Sequence, residues 1–373
     1  MTVLFQLFVL PLVLFIISFL ILRLPQFGTR PSGSRLRRIL SSPNYRDNSF
    51  QNLMPTPQLA EGVSYWKVIS VFFFRKKERP VPPAVLPSVR TDLKTLPPEK
   101  DCLIWFGHSP YYFQLAGRRY LVDPVMSGYA SPFSFTTRSF PGTDPYTPED
   151  LPLIDYLILT HDHYDHLDYK TLRKLRPKAS AIITGLGVGS HLQRWGYEPG
   201  RIREMDWFES CAPEEKIKLH CLPARHFSGR GFRRNGTLWS SFSLEAGNRK
   251  IYIGGDSGYG PHFSDIGARY GPFDLAILEN GQYNAYWKYI HMMPEEVVAA
   301  ARDLKATTLF PVHWSKFNLS LHAWDEPIER VVNAAKEAVP LIHPMIGQPV
   351  DLWQHEVTTE WWHELSGKNK AGT

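Results

Sequence analysis

The sequence predicts an α/β domain in which two sheets pack together with helices outside. From Asp101 onward, short apolar runs of strand length alternate with turn residues. These strands fall into two groups with few helices between them, the pattern of packed sheets rather than of a helical bundle. The chain has 373 residues, enough for one large domain with additions, and its 43% apolar content is that of an ordinary globular protein. No internal repeat is visible.

In chain order, Val3 to Leu22 is apolar apart from Gln6, Pro11 and Ser18. Such a run as a helix spans roughly 30 Å, the thickness of a bilayer core. The flank from Leu22 to Phe27 carries no small-residue cleavage site, so an uncleaved transmembrane anchor over residues 1–22 is expected rather than a signal peptide. Residues 23–100 form a basic, Pro-rich extension. Within it, Tyr65 to Phe74 is apolar and leads into Arg75, Lys76 and Lys77. That run suits either docking on an anionic lipid surface or packing on the main domain.

Strands are expected at 103–106, 111–115, 120–122, 153–159 and 181–183, then at 217–222, 241–244, 250–253, 273–278 and 308–312. Asp168 is placed to cap a helix through Leu175. Pro294 with Glu295 and Glu296 opens another to about Leu304, and Asp325 with Pro327 a third to about Ala338. Gly185-Leu186-Gly187-Val188-Gly189 lacks the Lys-Ser/Thr of a phosphate loop and reads as a strand-to-helix turn. The main domain is expected over 101–350, with a C-terminal tail at 351–373.

Charge is concentrated. Residues 23–46 hold six arginines and no acid, which accounts for the whole net charge of +6. The remainder is balanced, so no nucleic-acid partner is implied. Arginines after an apolar span and none before it place the main domain on the cytoplasmic face. Cys102, Cys211 and Cys221 are scattered and odd in number, which gives no disulfide framework.

The chemistry starts at His161-Asp162-His163-Tyr164-Asp165-His166, directly after a predicted strand. Spacing of two puts His161 and His163 on one side of an extended chain, and a turn can aim Asp165 and His166 at a neighbouring position. Imidazole and carboxylate suit zinc, and also iron or manganese. A solvated polar loop is the alternative, but three histidines and an aspartate in this spacing favour a metal site.

The run matches the HxHxDH motif of the metallo-β-lactamase superfamily, and the chain resembles that family over roughly residues 100–350. The resemblance implies an αββα sandwich and further ligands at His226, Asp256 and His313, each after a predicted strand. It implies two metal ions, zinc before manganese or iron. One would be held by His161, His163 and His226, the other by Asp165, His166 and His313, with Asp256 bridging and catalytic. Local wording at Trp105–Ser109, His163–Asp168, Gly254–Tyr259 and His291–Glu296 resembles the branch containing N-acyl-phosphatidylethanolamine-hydrolysing phospholipase D. His291 would be catalytic with Asp256, supporting a ligand or orienting substrate, or would cap the helix at Pro294. His108 would line the cleft or bond a turn, and Tyr164 would touch substrate or pack. The implied activity is membrane-anchored hydrolysis of a phospholipid diester. A lactonase or small-phosphoester hydrolase, and a metal-binding sensor without turnover, are the alternatives. The implied partners are the lipid bilayer and a phospholipid, and a homodimer stays open.

Overall fold

A computed structural model describes residues 2–74, 77–354 and 359–365, with side chains described from Val9 onward. Arg75, Lys76 and His355 lie outside the described residues. The chain opens with α1 (Thr2–Leu22), α2 (Gly33–Leu40), the short hairpin β1 (Tyr45–Arg46) and β2 (Ser49–Phe50), and α3 (Tyr65–Phe74).

The first sheet comprises β3 (Cys102–Trp105), β4 (Tyr111–Leu115), β5 (Arg118–Val122), β6 (Ile154–Leu159), β7 (Ala179–Gly185) and β8 (Ile202–Met205). Helices α4 (Tyr169–Leu175) and α5 (Gly189–Arg194) are interleaved with it. The second sheet comprises β9 (Ser210–Glu214), β10 (Ile217–Leu222), β11 (Ser241–Ala246), β12 (Arg249–Ile253), β13 (Leu275–Glu279) and β14 (Leu309–Val312). Its helices are α6 (His262–Arg269), α7 (Pro294–Asp303) and α8 (Glu326–Ala335), and β15 (Pro349–Asp351) returns to the first sheet beside β3.

Both sheets are mixed, with the orders β15-β3-β4-β5-β6-β7-β8 and β14-β13-β12-β11-β10-β9. Strand alternation sorts the side chains. Leu103, Trp105, Phe113, Tyr120 and Ile158 join a core shared with Leu219, Phe242 and Ile253 of the second sheet. Ile104, Tyr112, Leu121 and Leu157 point the other way, onto Leu172 and Leu175 of α4 and Leu192 of α5. A sheet covered on both faces reads as continuous apolar runs, which is why these strands are legible. The expected sandwich of two mixed sheets is present. The Gly185–Gly189 turn joins β7 to α5 as expected, and the cap at Asp168 accepts from Lys170 N.

The N-terminal segments pack on this frame: Ile39 of α2, Phe50 of β2 and Leu86 belong to the same core. So do Trp361 and Trp362, beyond the expected end of the domain. The expected transmembrane helix is not supported. Among the described residues no helix is long and apolar enough to cross a membrane.

Candidate metal centre

Strands β10, β12, β13 and β14 run in one direction, and each delivers a polar residue at or beyond its C-terminal end: His226, Asp256, Glu279 and His313. From the other sheet, β5 delivers Asp123 and β6 delivers His161. The two sheet edges are tied where these residues meet, since Ser240 N donates to Thr160 O at 2.9 Å. Gly255 has to be small here: a Cβ would stand 2.7 Å from Ser240 O.

His161, His163, His226 and Asp256 form one group able to hold a cation. Asp165, His166 and His313, with His108, form a second. In the first, His161 Nε2 and His226 Nε2 lie 2.9 and 3.2 Å from His163 Nδ1. Nδ1 of His226 donates to Ile290 O at 2.8 Å, which leaves its Nε2 unprotonated. Thr160 Oγ1 donates to Asp123, so its oxygen accepts from His161 Nδ1 at 3.0 Å. The Nε2 atoms of His161 and His226 therefore present lone pairs toward His163 Nδ1 in a buried site. Two ligands on one tetrahedral ion at ~2.0–2.1 Å stand roughly 3.3 Å apart, so this spacing fits a metal. Asp256 fits as well: it is buried, its Oδ1 has no hydrogen-bond partner, and its Oδ2 lies 3.1 Å from His166 Nε2.

Supporting groups orient the ligands. Asp123 Oδ2 accepts from His166 Nδ1 at 2.8 Å. Ser109 Oγ lies 2.6 Å from His313 Nδ1. His108 and His313 both have left-handed backbones, at φ 57° and 70°, a strain of about 1–3 kcal/mol each for such residues. Two hydrogen bonds hold this corner, His313 N to His108 O and His108 N to Trp314 O, both at 2.9 Å.

Burial pushes the imidazoles of His161, His226 and His313 well below their ordinary value, and that of His163 below it. His166 goes the other way: burial lowers it, but the carboxylates of Asp256 and Asp165 raise it well above. Burial raises Asp256, and the charges of His166 and His313 more than reverse that, holding it well below the carboxylate range. His161, His163, His226 and His313 are thus held neutral and Asp256 ionised, the forms in which each can bind a cation.

All seven expected ligands come together. His291 stands beside them, with ring centroids 5.1 and 5.4 Å from His226 and His313, and its Nδ1 lies 3.6 Å from Glu279 Oε1. His108 is wholly buried behind the centre, its Nε2 3.0 Å from Asp165 Oδ2, in a position to hold that carboxylate. Tyr164 faces a separate cavity with Gln26, Phe133 and Lys170. Its hydroxyl donates to Arg230 O at 2.7 Å, the packing alternative of the two expected. Asp162 is buried, accepting from Gly229 N and Thr237 Oγ1. Asp123, Glu279 and Arg230 escaped the sequence reading. The one local signal for the two acids is their position where an apolar strand ends.

A cavity of about 290 Å³ opens on His163, Asp165, His226, Asp256, His291 and His313. Its apolar wall includes Leu59, Val68, Phe72, Trp287, Ile290 and Leu319, so α3 covers one side of the centre. Arg234 is the arginine on its wall, exposed and donating to Gln58 Oε1. A larger cavity of about 520 Å³, lined by Tyr283, His322 and Arg330, holds none of the seven ligands, and Arg330 there is already paired with Glu295 and Glu326.

A family model described as a beta-lactamase superfamily domain matches residues 118–314. An uncharacterized protein of Mycobacterium tuberculosis is 39% identical over 331 residues, covering 86% of this chain and 87% of its own. N-acyl-phosphatidylethanolamine-hydrolyzing phospholipase D 1 of Caenorhabditis elegans is 33% identical over 232 residues, 57% of this chain and 63% of its own. The crystal structure of isothiocyanate hydrolase from Delia radicum gut bacteria superposes with a TM-score of 0.55 at 19% identity, over 67% of this chain and 98% of that one. That last likeness concerns the fold alone.

Proposed function

The chain belongs to the beta-lactamase superfamily and is a metal-dependent hydrolase; from that premise we propose that it is a phospholipase D-type phosphodiesterase acting on N-acyl-phosphatidylethanolamine or a related phospholipid. The observation that carries the reading is the cavity, which joins the metal-ligand cluster to an apolar wall and an arginine. A diester with acyl chains needs all three. The C. elegans relative, named for that reaction, supports it.

His161, His163 and His226 would hold one ion and Asp165, His166 and His313 the other, with Asp256 within reach of both sets. Two ions bound there, zinc by preference for this histidine-rich set, would polarise a phosphoryl oxygen and bring the pKa of water to about 7. The chain's own residues do the rest. Asp123, Thr160 and Ile290 fix ligand tautomers so that bare nitrogens face inward. Arg234 pairs with an anionic oxygen of the substrate, while Val68, Phe72 and Ile290 take acyl chain and exclude water. His291 stands on the same wall, backed by Glu279, as the group that orients the headgroup side.

Exposed apolar side chains support action at a lipid surface. On α3, Trp66, Phe73 and Phe74 are 80, 76 and 86% exposed, and much of α1 is uncovered as well. Monomeric soluble proteins seldom leave such patches bare. Product analysis by mass spectrometry tests the reading: phosphatidic acid and an N-acylethanolamine are expected. Turnover of lactones without turnover of any phospholipid would overturn it.

A further inference from the structure

The loop His161–Leu167 is anchored from behind by a buried cation. Arg230 is 4% exposed. Its Nη1 donates to Asp162 O at 2.7 Å and to Leu167 O at 2.8 Å, close to the two ends of the metal-ligand loop. Its Nε and Nη2 both donate to Gln26 O, at 2.9 and 2.8 Å. The guanidinium lies 4.1 Å from the ring centroid of Tyr164, inside the same loop. One side chain therefore clamps the loop and the segment that follows α1.

A second tie runs in parallel. Thr29 N donates to His191 Nδ1 at 2.9 Å, so the imidazole proton sits on Nε2, 3.3 Å from Asp162 Oδ2. Arg194 Nη1 donates to Gly28 O, and Trp195 Nε1 to Pro25 O, both at 2.8 Å. Gly28 has φ +70°, and a Cβ on it would stand 2.0 Å from His191 Nδ1. Only glycine lets the segment seat there.

We propose that Arg230 is a positioning residue that latches residues 23–29 to the metal-binding loop, so that release of this segment loosens the centre. The proposal rests on the metal reading of the site. The segment leads directly out of α1, where Leu10, Leu14, Phe15 and Leu20 are exposed. Lysine cannot replace the arginine, since a single ammonium lacks the planar fork that reaches three carbonyls at once.

The test compares full-length wild type, Arg230→Lys, Arg230→Met and Gly28→Ala, each loaded with zinc. Gly28→Ala unseats the segment without touching Arg230 or any ligand, so it keeps the question open to refutation if the Arg230 variants fold poorly. The readouts are the rate of zinc loss to a chelator at 25 °C and proteolysis within residues 23–30. Loss of a group supporting metal ligands typically weakens metal binding by about 10- to 100-fold. Zinc loss faster by that range is expected in all three variants, with new cleavage near Gly28. A purely structural role would lower the melting temperature of the metal-free protein and leave the 25 °C zinc-loss rate unchanged. That result, or wild-type rates in Gly28→Ala with the segment cleaved, overturns the latch. A wild type that takes up no metal overturns the metal reading as well.

Discussion

Asp123 Oδ2 accepts a hydrogen bond from His166 Nδ1 at 2.8 Å, and the same carboxylate accepts from Thr160 N at 2.8 Å through Oδ1. One buried acid therefore aims a ligand and closes the turn that carries His161. Asp123→Ala is expected to cut metal affinity by about 10- to 100-fold. It should also cost about 1–3 kcal/mol of stability, because Thr160 N is left buried without an acceptor. Metal titration and chemical denaturation read the two effects separately. Unchanged affinity would remove Asp123 from the supporting set.

Metal content tests the role of Asp256. Purified protein is expected to hold about two transition-metal ions per chain, as a two-metal hydrolase site requires. Asp256→Asn should lower the content of both positions, since Asp256 lies within 3.7 Å of His161 and His226 and within 3.4 Å of His313. Elemental analysis showing one ion lost and one kept would assign Asp256 to a single position.

The histidines set a pH dependence. In the folded chain His161, His163, His226 and His313 lie below 6.5 because burial penalises their charged form. On unfolding they return to about 6.5 and bind protons that the fold refuses, so acidification below that value favours the unfolded state. His166 opposes this: raised by Asp256 and Asp165 against burial, its contribution is full below 6.5 and is lost as pH rises through its folded value. His291, raised by Glu279 against burial, opposes it too, but the buried His108, His262 and His322 are lowered as well, so the lowered groups outnumber the raised ones. The melting temperature of metal-free protein should fall from pH 7 to pH 5, measured by calorimetry. A rise over that window would contradict the assignment.

Arg234 discriminates between substrate classes. A charged hydrogen bond is worth about 1.5–3 kcal/mol, so Arg234→Gln should lower phosphodiester turnover by roughly 10- to 100-fold. A neutral lactone of similar size should be turned over no more slowly. Equal losses on both substrates would mean that Arg234 shapes the cavity rather than recognising an anion.

Lipid-surface action predicts a separable defect. Replacing Trp66, Phe73 and Phe74 together by Ser should reduce binding to phospholipid vesicles in sedimentation assays. Turnover of a soluble diester should be unaffected, because none of the three lines the cavity. Wild-type vesicle binding by the triple variant would leave α3 as a cover for the centre only.

The ligand run His161–His166 was legible because its chemistry is local: spacing of two and a turn bring four ligand groups together within six residues. His226, Asp256 and His313 were legible by resemblance, each following an apolar strand. Strands such as β3, β4, β13 and β14 declared their places because they are buried on both faces. The short β8, β9 and β15 were not read; β15 even begins with Pro349, which is tolerated because it lies at the sheet edge. Tertiary structure alone decided what one residue does to another far along the chain. An acid at a strand end looks the same whether it orients a ligand, as Asp123 does, or backs His291, as Glu279 does. Tyr164 sits between two ligands in sequence, yet its side chain turns away because the Arg230 carbonyl accepts its hydroxyl. Arg230 itself has no local pattern, since its acceptors at Gln26, Asp162 and Leu167 are 204, 68 and 63 residues away. Hydrogen bonds of that reach exist only once two sheets and an N-terminal segment have closed around them.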